Sequence, residues 1–246
     1  MDKKTSIVVL MIISLMVMPA FLAFAGDLNK ALVNAANKGD NKSVNKLLAQ
    51  GADVRLALVQ AIEGGDANAA KVLIEKGADL DFIIEGGGNN LLMMAARGGH
   101  ADAVGILLDK GMEVNDLNSK GESPLFIATN SKKIEVANLL LERGADISLK
   151  NKSGWSPIHV AAKKCQTDMV NLFLDNGADI EDRESRGYTP LIMASEWDCP
   201  ATVKLLLERG AKPDALTKKK ESALWFAQRE KFGEVLKLLQ QYLPKE

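Results

Sequence analysis

Apolar residues recur at helical spacing along most of the chain, in runs that end at a glycine. A representative run covers residues 134–143 (IEVANLLLER) and is followed directly by Gly144. Glycine readily adopts the left-handed conformation that terminates helices, and a basic residue before it complements the negative end of the helix. The pattern predicts a succession of short amphipathic helices.

The glycines that end these runs are almost evenly spaced. Gly-Ala-Asp or a close variant begins at positions 51, 77, 111, 144, 177 and 210, with spacings of 26, 34, 33, 33 and 33 residues. A fixed period of this size indicates stacked supersecondary units, each of which cannot bury its apolar face alone. The sequence therefore predicts a repeat array.

A second motif lies about a dozen residues after the later of these glycines and is expected to begin a helix. It reads SPLFIA at 123–128, SPIHVAA at 156–162 and TPLIMA at 189–194. A Ser or Thr hydroxyl caps a helix N-terminus, and proline fits the first helical position because its missing N–H is not needed there. A short turn then leads to a second helix, so each unit is predicted to contain a helix pair.

These motifs resemble the ankyrin repeat, whose unit is a β-turn finger followed by two antiparallel helices. The resemblance extends from about Leu28 to Leu243 and implies an all-α ankyrin-repeat solenoid of about seven helix-turn-helix units with β-turn fingers. The first and last units are expected to act as caps. The expected units are about 28–53, 54–79, 80–113, 114–146, 147–179, 180–212 and 213–246.

Two departures from the regular unit are visible. The second unit has only 26 residues, so its finger is expected to be missing or collapsed between Asp53 and Leu58. The third has a Gly-Gly-Gly-Asn-Asn tip at 86–90, with Asn90 as the expected helix cap and Leu91 in the proline position.

Residues 1–25 have a different pattern from the rest. Charged residues at 2–4 precede an apolar run at 7–18, then Pro19 and the small-residue pattern Ala-Phe-Ala at 23–25. This order is typical of a cleaved secretory signal peptide and predicts a mature ankyrin-repeat domain, 26–246, in the periplasm or outside the cell. The alternative is an uncleaved helix that anchors the protein in the membrane, because 7–25 is nearly long enough to span a bilayer.

Composition and motifs argue against nucleic-acid binding and catalysis. Lys and Arg total 31 and Asp and Glu total 32, a net charge of −1, so no broad basic surface is expected. The two histidines, His100 and His159, fall in regular positions of the repeat and are expected to be structural. The chain has no P-loop, G-x-S-x-G, H-E-x-x-H or C-x-x-C motif. We therefore expect no enzyme activity, no cofactor and no metal.

The resemblance implies a non-catalytic, monomeric scaffold that binds another protein on a concave groove and its fingers. After signal cleavage, no contact with a membrane is expected. The alternative function is a stoichiometric inhibitor or immunity protein that blocks a partner enzyme or toxin. The sequence does not identify the partner.

Variable positions of the fifth and sixth units are the expected binding site. In ankyrin units the finger tip, the residue after the finger glycine and the two residues after the inner alanine pair vary and face the groove. Three large aromatic side chains occupy such positions and are expected to be exposed, as binding hot spots often are. The alternative is that these rings shield the finger–helix junction. The predicted partner-binding residues are Lys152, Trp155, Lys163, Lys164, Arg186, Tyr188, Glu196 and Trp197, with Ser153 and Ser185 beside them.

Two features of the final unit remain ambiguous. The basic run at 218–220 is expected to be a solvated finger tip, with contact to an acidic partner as the alternative. Trp225 occupies the histidine position of this unit and is expected to pack against the cap.

Cys165 and Cys199 are the only cysteines, and an even number in an exported protein allows a disulfide. Both fall at the turn between the two helices of adjacent units, offset by one position. Packed helices lie about 8–10 Å apart, whereas bridged Cα atoms are usually less than about 7 Å apart. Loop bending would have to close this gap, so a disulfide and two separate thiols both remain open.

Overall fold

The computed structural model describes residues 26–81, 83 and 87–243. Within these ranges the regular structure is helical, and an isolated antiparallel bridge joins Leu216 to Ser222. The predicted all-α class is therefore confirmed. The predicted signal peptide at 1–25 lies outside the described residues.

The described residues form two compact parts, which lie within Met1–Phe82 and Ile83–Glu246. The first part contains two helix pairs, and buried aliphatic side chains from both pairs form its core. Asp53 itself caps the third helix by accepting from the Arg55 and Leu56 backbone N–H groups, so no finger precedes it. Its helices are α1, described over 26–37, α2 (Asn41–Ala49), α3 (Val54–Gly64) and α4 (Ala67–Glu75).

The second part contains five helix pairs arranged in two rows. The inner helices α5, α7, α9, α11 and α13 pack in that order, and the outer helices α6, α8, α10, α12 and α14 pack behind them. Their bounds are α5 (Leu91–Gly98), α6 (Ala101–Asp109), α7 (Pro124–Asn130), α8 (Ile134–Glu142), α9 (Pro157–Lys163), α10 (Thr167–Asp175), α11 (Pro190–Glu196), α12 (Pro200–Glu208), α13 (Ala223–Glu230) and α14 (Gly233–Tyr242).

The inner helices begin where the sequence motifs predict. The hydroxyls of Ser123 and Thr189 accept from backbone N–H groups three residues later, and Asn90 does the same with its amide oxygen. Small side chains such as Ala128 and Ala161 are fully buried between neighbouring inner helices. Local capping starts α5, α7 and α11, and the small alanine side chains let adjacent pairs stack closely.

The turn inside each helix pair uses one left-handed residue. Three of these positions are glycines, whereas Lys132, Cys165, Asp198 and Lys231 occupy the others with φ between 50° and 62°. This conformation is unfavourable for a side chain with a Cβ. The turn is therefore imposed by the stacking of the helices rather than by the residue that occupies it.

In the described ranges, β-turn fingers at 118–122, 151–155, 184–188 and 217–221 project before helices α7, α9, α11 and α13. We number them the fourth to the seventh finger, after the repeat units to which they belong. In the fingers at 151–155 and 184–188, the glycine N–H donates to the carbonyl oxygen three residues earlier over 2.8 Å. Adjacent fingers are also joined, since Lys152 N donates to Lys120 O and Lys218 N to Arg186 O. The fingers and inner helices together form what we call the groove face of the second part.

Candidate partner-binding surface

A buried polar network joins the fifth repeat unit to the sixth. His159 Nε2 lies 3.1 Å from the carbonyl oxygens of both Asp182 and Tyr188, and Nδ1 lies 3.3 Å from the Ser156 backbone nitrogen. The Ser156 hydroxyl donates to Asp182 Oδ2 over 2.7 Å. Because carbonyl oxygens only accept, Nε2 carries the proton and Nδ1 accepts.

The charges of this network follow from its burial. Burial lowers the pKa of His159, against the opposing attraction of the Asp182 carboxylate, so the ring is neutral at pH about 7. For Asp182, burial acts to raise the pKa, but hydrogen bonds from Lys150 and Ser156 outweigh it and the pKa is lowered. Ser, His and Asp thus meet, and Nδ1 also lies 2.8 Å from the Ser156 hydroxyl oxygen, while Nε2 contacts two backbone carbonyl oxygens. The network orients the sixth finger, which is the structural role predicted for His159.

Two tryptophans and a lysine form the centre of the predicted site. The Lys163 ammonium lies 4.4 Å from the centre of the Trp197 ring and 5.0 Å from that of Trp155. We call these three residues the Trp cluster. Trp197 is 51% exposed, whereas Trp155 is half-buried. Each cation–π contact at an exposed site contributes about 0.5–1 kcal/mol, so Lys163 restricts the orientation of both rings.

A disulfide between Cys165 and Cys199 lies directly beside the Trp cluster. The two Cα atoms are 5.0 Å apart, closer than packed helix axes, and both cysteines lie in turns between paired helices. Cys165 is the left-handed residue of its turn, and Cys199 precedes α12. The Cys199 sulfur lies 3.5 Å from the carbonyl oxygen of Trp197. The bond therefore connects the backbone that carries Trp197 to the preceding unit.

Tyr188 does not have the exposure that its position predicts. The side chain is only 6% exposed, so the expectation of a third exposed aromatic is wrong. Its ring packs against Phe226 of the next unit, with 5.5 Å between ring centres, and the Arg186 guanidinium covers it at 4.5 Å. Burial and the nearby Glu196 carboxylate raise the pKa of Tyr188. The position of Tyr188 within its own repeat did not predict this burial, because Phe226, against which the ring packs, belongs to the next repeat.

The other predicted residues fall into three places. Lys152 and Arg186 line a groove between the fifth and sixth fingers, together with Trp155. Lys164 donates to the Asn130 carbonyl oxygen over 2.6 Å, and burial and then the neighbouring lysines lower its pKa. Glu196 lines a separate cavity. The structure thus brings Trp155, Lys163 and Trp197 together but distributes the remaining residues along the groove face.

The cavity of about 300 Å³ between the sixth and seventh units contains residues that the sequence analysis missed. Phe226 and Arg229 contribute to it from α13, and Lys218 and Lys219 from the last finger. Trp225 makes an edge-on contact with Phe226 at 4.9 Å between ring centres. Four predicted residues, Ser185, Arg186, Tyr188 and Glu196, also line this cavity, but the sequence did not indicate its floor, which forms between residues of different repeats.

Within the described ranges, no group of three or more His, Cys, Asp and Glu side chains is placed to hold a metal ion.

Comparison with known proteins agrees with this architecture. A family model described as ankyrin repeats (3 copies) matches at residues 32–116, 58–151 and 144–217. The crystal structure of the human ASB11 ankyrin repeat domain is similar with a TM-score of 0.70 and 31% sequence identity, over 76% of this chain and 84% of that chain. Among proteins with curated descriptions, none matches.

Ankyrin repeats generally serve as non-catalytic interaction modules, so these matches indicate a scaffold for protein–protein interaction. The architecture of helix pairs and fingers agrees with the family match. The chain belongs to the ankyrin-repeat family.

Proposed function

We propose that this protein is an exported scaffold that binds a partner protein through the groove face of its fifth and sixth repeat units. The Trp cluster is the observation that carries the proposal. Trp197 exposes half of a large apolar side chain directly after the inner helix α11. Tryptophan is among the residues most enriched at binding hot spots, where burial of its ring contributes strongly to affinity.

The Trp cluster is also restrained before any partner arrives. Lys163 contacts both rings, and the disulfide connects the turn beside Trp197 to the preceding unit. Restraint of this kind reduces the conformational entropy that a surface loses on binding. The alternative, that the rings only shield the finger–helix junction, accounts for the half-buried Trp155. It does not account for Trp197, whose exposed half covers nothing in the described chain.

Export is supported by two independent features. The leader pattern at 1–25 matches a secretory signal peptide. Disulfides persist mainly in oxidising environments such as the periplasm and the extracellular space, and the structure contains one. No helix in the described ranges combines the length and apolar character needed to cross a membrane.

The test is affinity capture by the mature chain, residues 26–246, from its native cell envelope and medium. The captured protein is then produced pure and its affinity is measured for wild type, Trp197→Ala and Trp155→Ala/Trp197→Ala. Each tryptophan is expected to contribute about 2 kcal/mol or more, which corresponds to about thirtyfold in Kd. Tyr242→Ala is the matched control, because this exposed ring lies on α14.

Unchanged affinity in the double variant, with the helical circular dichroism signal preserved, would place the binding site elsewhere on the protein. The same complex tests the alternative function. If the partner is an enzyme, complete loss of its activity at equal concentrations of both proteins identifies an inhibitor, and retained activity identifies a scaffold.

A further inference from the structure

The cavity between the sixth and seventh repeat units has an apolar floor. Tyr188 and Phe226 form this floor, and both side chains are almost fully buried. The volume of about 300 Å³ is at the lower end of the range for small-ligand pockets. It is therefore suited to a single bulky side chain that enters from the groove face.

The rim of the same cavity is cationic. Arg186 lies over the Tyr188 ring at 4.5 Å, and Arg229 lies over the Phe226 ring at 5.1 Å. Lys218 and Lys219 complete the cationic side. Arg186 pairs with Glu184 and Arg229 with Glu230, so Lys218 and Lys219 are the lining cations without an ion pair among the described residues.

The carboxylates of this region are already engaged within the fold. Glu184 is buried and accepts from the backbone N–H groups of Arg186 and Tyr188 in its own finger. Glu221 accepts from the Thr217 hydroxyl. By contrast, the side chains of Lys218 and Lys219 make no ion pair with any described residue. An incoming ligand therefore meets unpaired cations above an apolar floor.

We propose that this cavity binds an acidic segment of the partner protein, with an aromatic side chain on the floor and flanking carboxylates on the rim. This inference rests on the proposed scaffold function and adds a ligand chemistry to it. The ammonium groups of Lys218 and Lys219 can form charge-assisted hydrogen bonds with carboxylates, and offset or edge-on ring contacts favour an aromatic guest. A nucleic acid fits less well, because phosphate contacts alone make no use of the floor and the cationic surface is small.

The test measures fluorescence polarisation of labelled probes with the purified mature protein. The main probe is a short peptide with one phenylalanine between glutamates. The comparison probes replace that phenylalanine with alanine, replace the glutamates with lysines, or substitute a single-stranded DNA oligonucleotide of equal charge. The phenylalanine is expected to contribute about tenfold in affinity, and the lysine peptide is expected not to bind.

Protein variants locate the binding in the cavity. Lys219→Gln and Arg229→Met should each weaken the main peptide about fivefold, as expected for loss of one exposed charge near a carboxylate. Lys237→Gln removes the same charge from the exposed face of α14 and should leave the affinity unchanged. Circular dichroism of each variant confirms that the helices are retained.

Four results would overturn the proposal: no binding of the main peptide, equal binding of the alanine peptide, DNA binding as tight as peptide binding, or equal weakening by Lys237→Gln. None of them affects the proposed scaffold function, which depends on Trp155 and Trp197 in other units. Conversely, failure to capture any partner would contradict the scaffold function even if the peptide binds.

Discussion

Removal of the Cys165–Cys199 disulfide should destabilise the second part of the protein substantially. The bond closes a loop with a sequence separation of 34 residues, which contains α10, the sixth finger and α11. Without the bond, the unfolded chain regains the conformations that the loop excludes. Loop-closure entropy for this length corresponds to about 4 kcal/mol at 25 °C.

The two ways of removing the bond differ in a predictable manner. Reduction leaves both sulfur atoms in place, so it measures the contribution of loop-closure entropy alone. Cys165→Ala/Cys199→Ala also deletes the sulfur of Cys199, which is 1% exposed, and the resulting small cavity adds about 1 kcal/mol. We therefore expect a loss of about 4 kcal/mol on reduction and about 5 kcal/mol in the double variant.

Guanidinium unfolding followed by circular dichroism gives the free energy of unfolding with and without a reductant. Tryptophan fluorescence adds a local signal, because Trp155 and Trp197 lie beside the bond. In thermal melts the loss on reduction corresponds to a decrease in Tm of about 8–16 °C, if the array unfolds as one unit. The double variant is the control, since the reductant should not change its unfolding.

Coincident transitions with and without reductant, within about 1 kcal/mol, would refute the loop-closure argument. Thiol titration of the unfolded, unreduced protein then identifies the reason. Two reactive thiols per chain would mean that the bond does not form in the isolated protein. If no thiol reacts and the stability is unchanged, the bond forms but the unfolded chain is so compact that the bond excludes few of its conformations.

Three further predictions concern other parts of the chain. Burial lowers the pKa of His159, so the unfolded state binds a proton more readily, and the free energy of unfolding should fall as the pH drops below about 6.5. Thermal melts of wild type and His159→Gln across this pH range test the prediction, and a wild-type stability that does not change with pH contradicts it. Lys132→Gly should raise the free energy of unfolding by about 0.5–1 kcal/mol in chemical denaturation, because Lys132 has a left-handed backbone with φ 58°. The control Lys133→Gly, at a position with φ −98°, should not raise it. N-terminal sequencing of the exported protein should begin at Gly26, and an intact Met1 in a membrane fraction would indicate the anchor instead.

The repeat architecture could be predicted from the sequence because its signals are local. A cap such as Ser123 or Asn90 acts within one turn of its own helix, and a glycine such as Gly144 ends a helix by its own backbone conformation. These signals recur at a constant period, so the fold class and the helix pairs follow from the chain alone.

Tyr188 shows where this reasoning ends. Its slot in the repeat is equivalent to that of Trp155, one period earlier, yet its ring is buried against Phe226 of the following unit. Exposure depends on what the neighbouring repeat places opposite a residue. A pattern within one repeat does not contain that information.

By itself, the sequence determined the period, the starts and stops of the helices and the family of this protein. Only the tertiary structure decided that Cys165 and Cys199 are bonded, that Lys163 lies between two tryptophan rings, and that Arg229 borders a cavity with Tyr188. Each of these contacts joins residues of different helices or repeats. Their distances depend on how turns bend and side chains orient when the units stack, and a difference of a few ångströms there separates a contact from a gap.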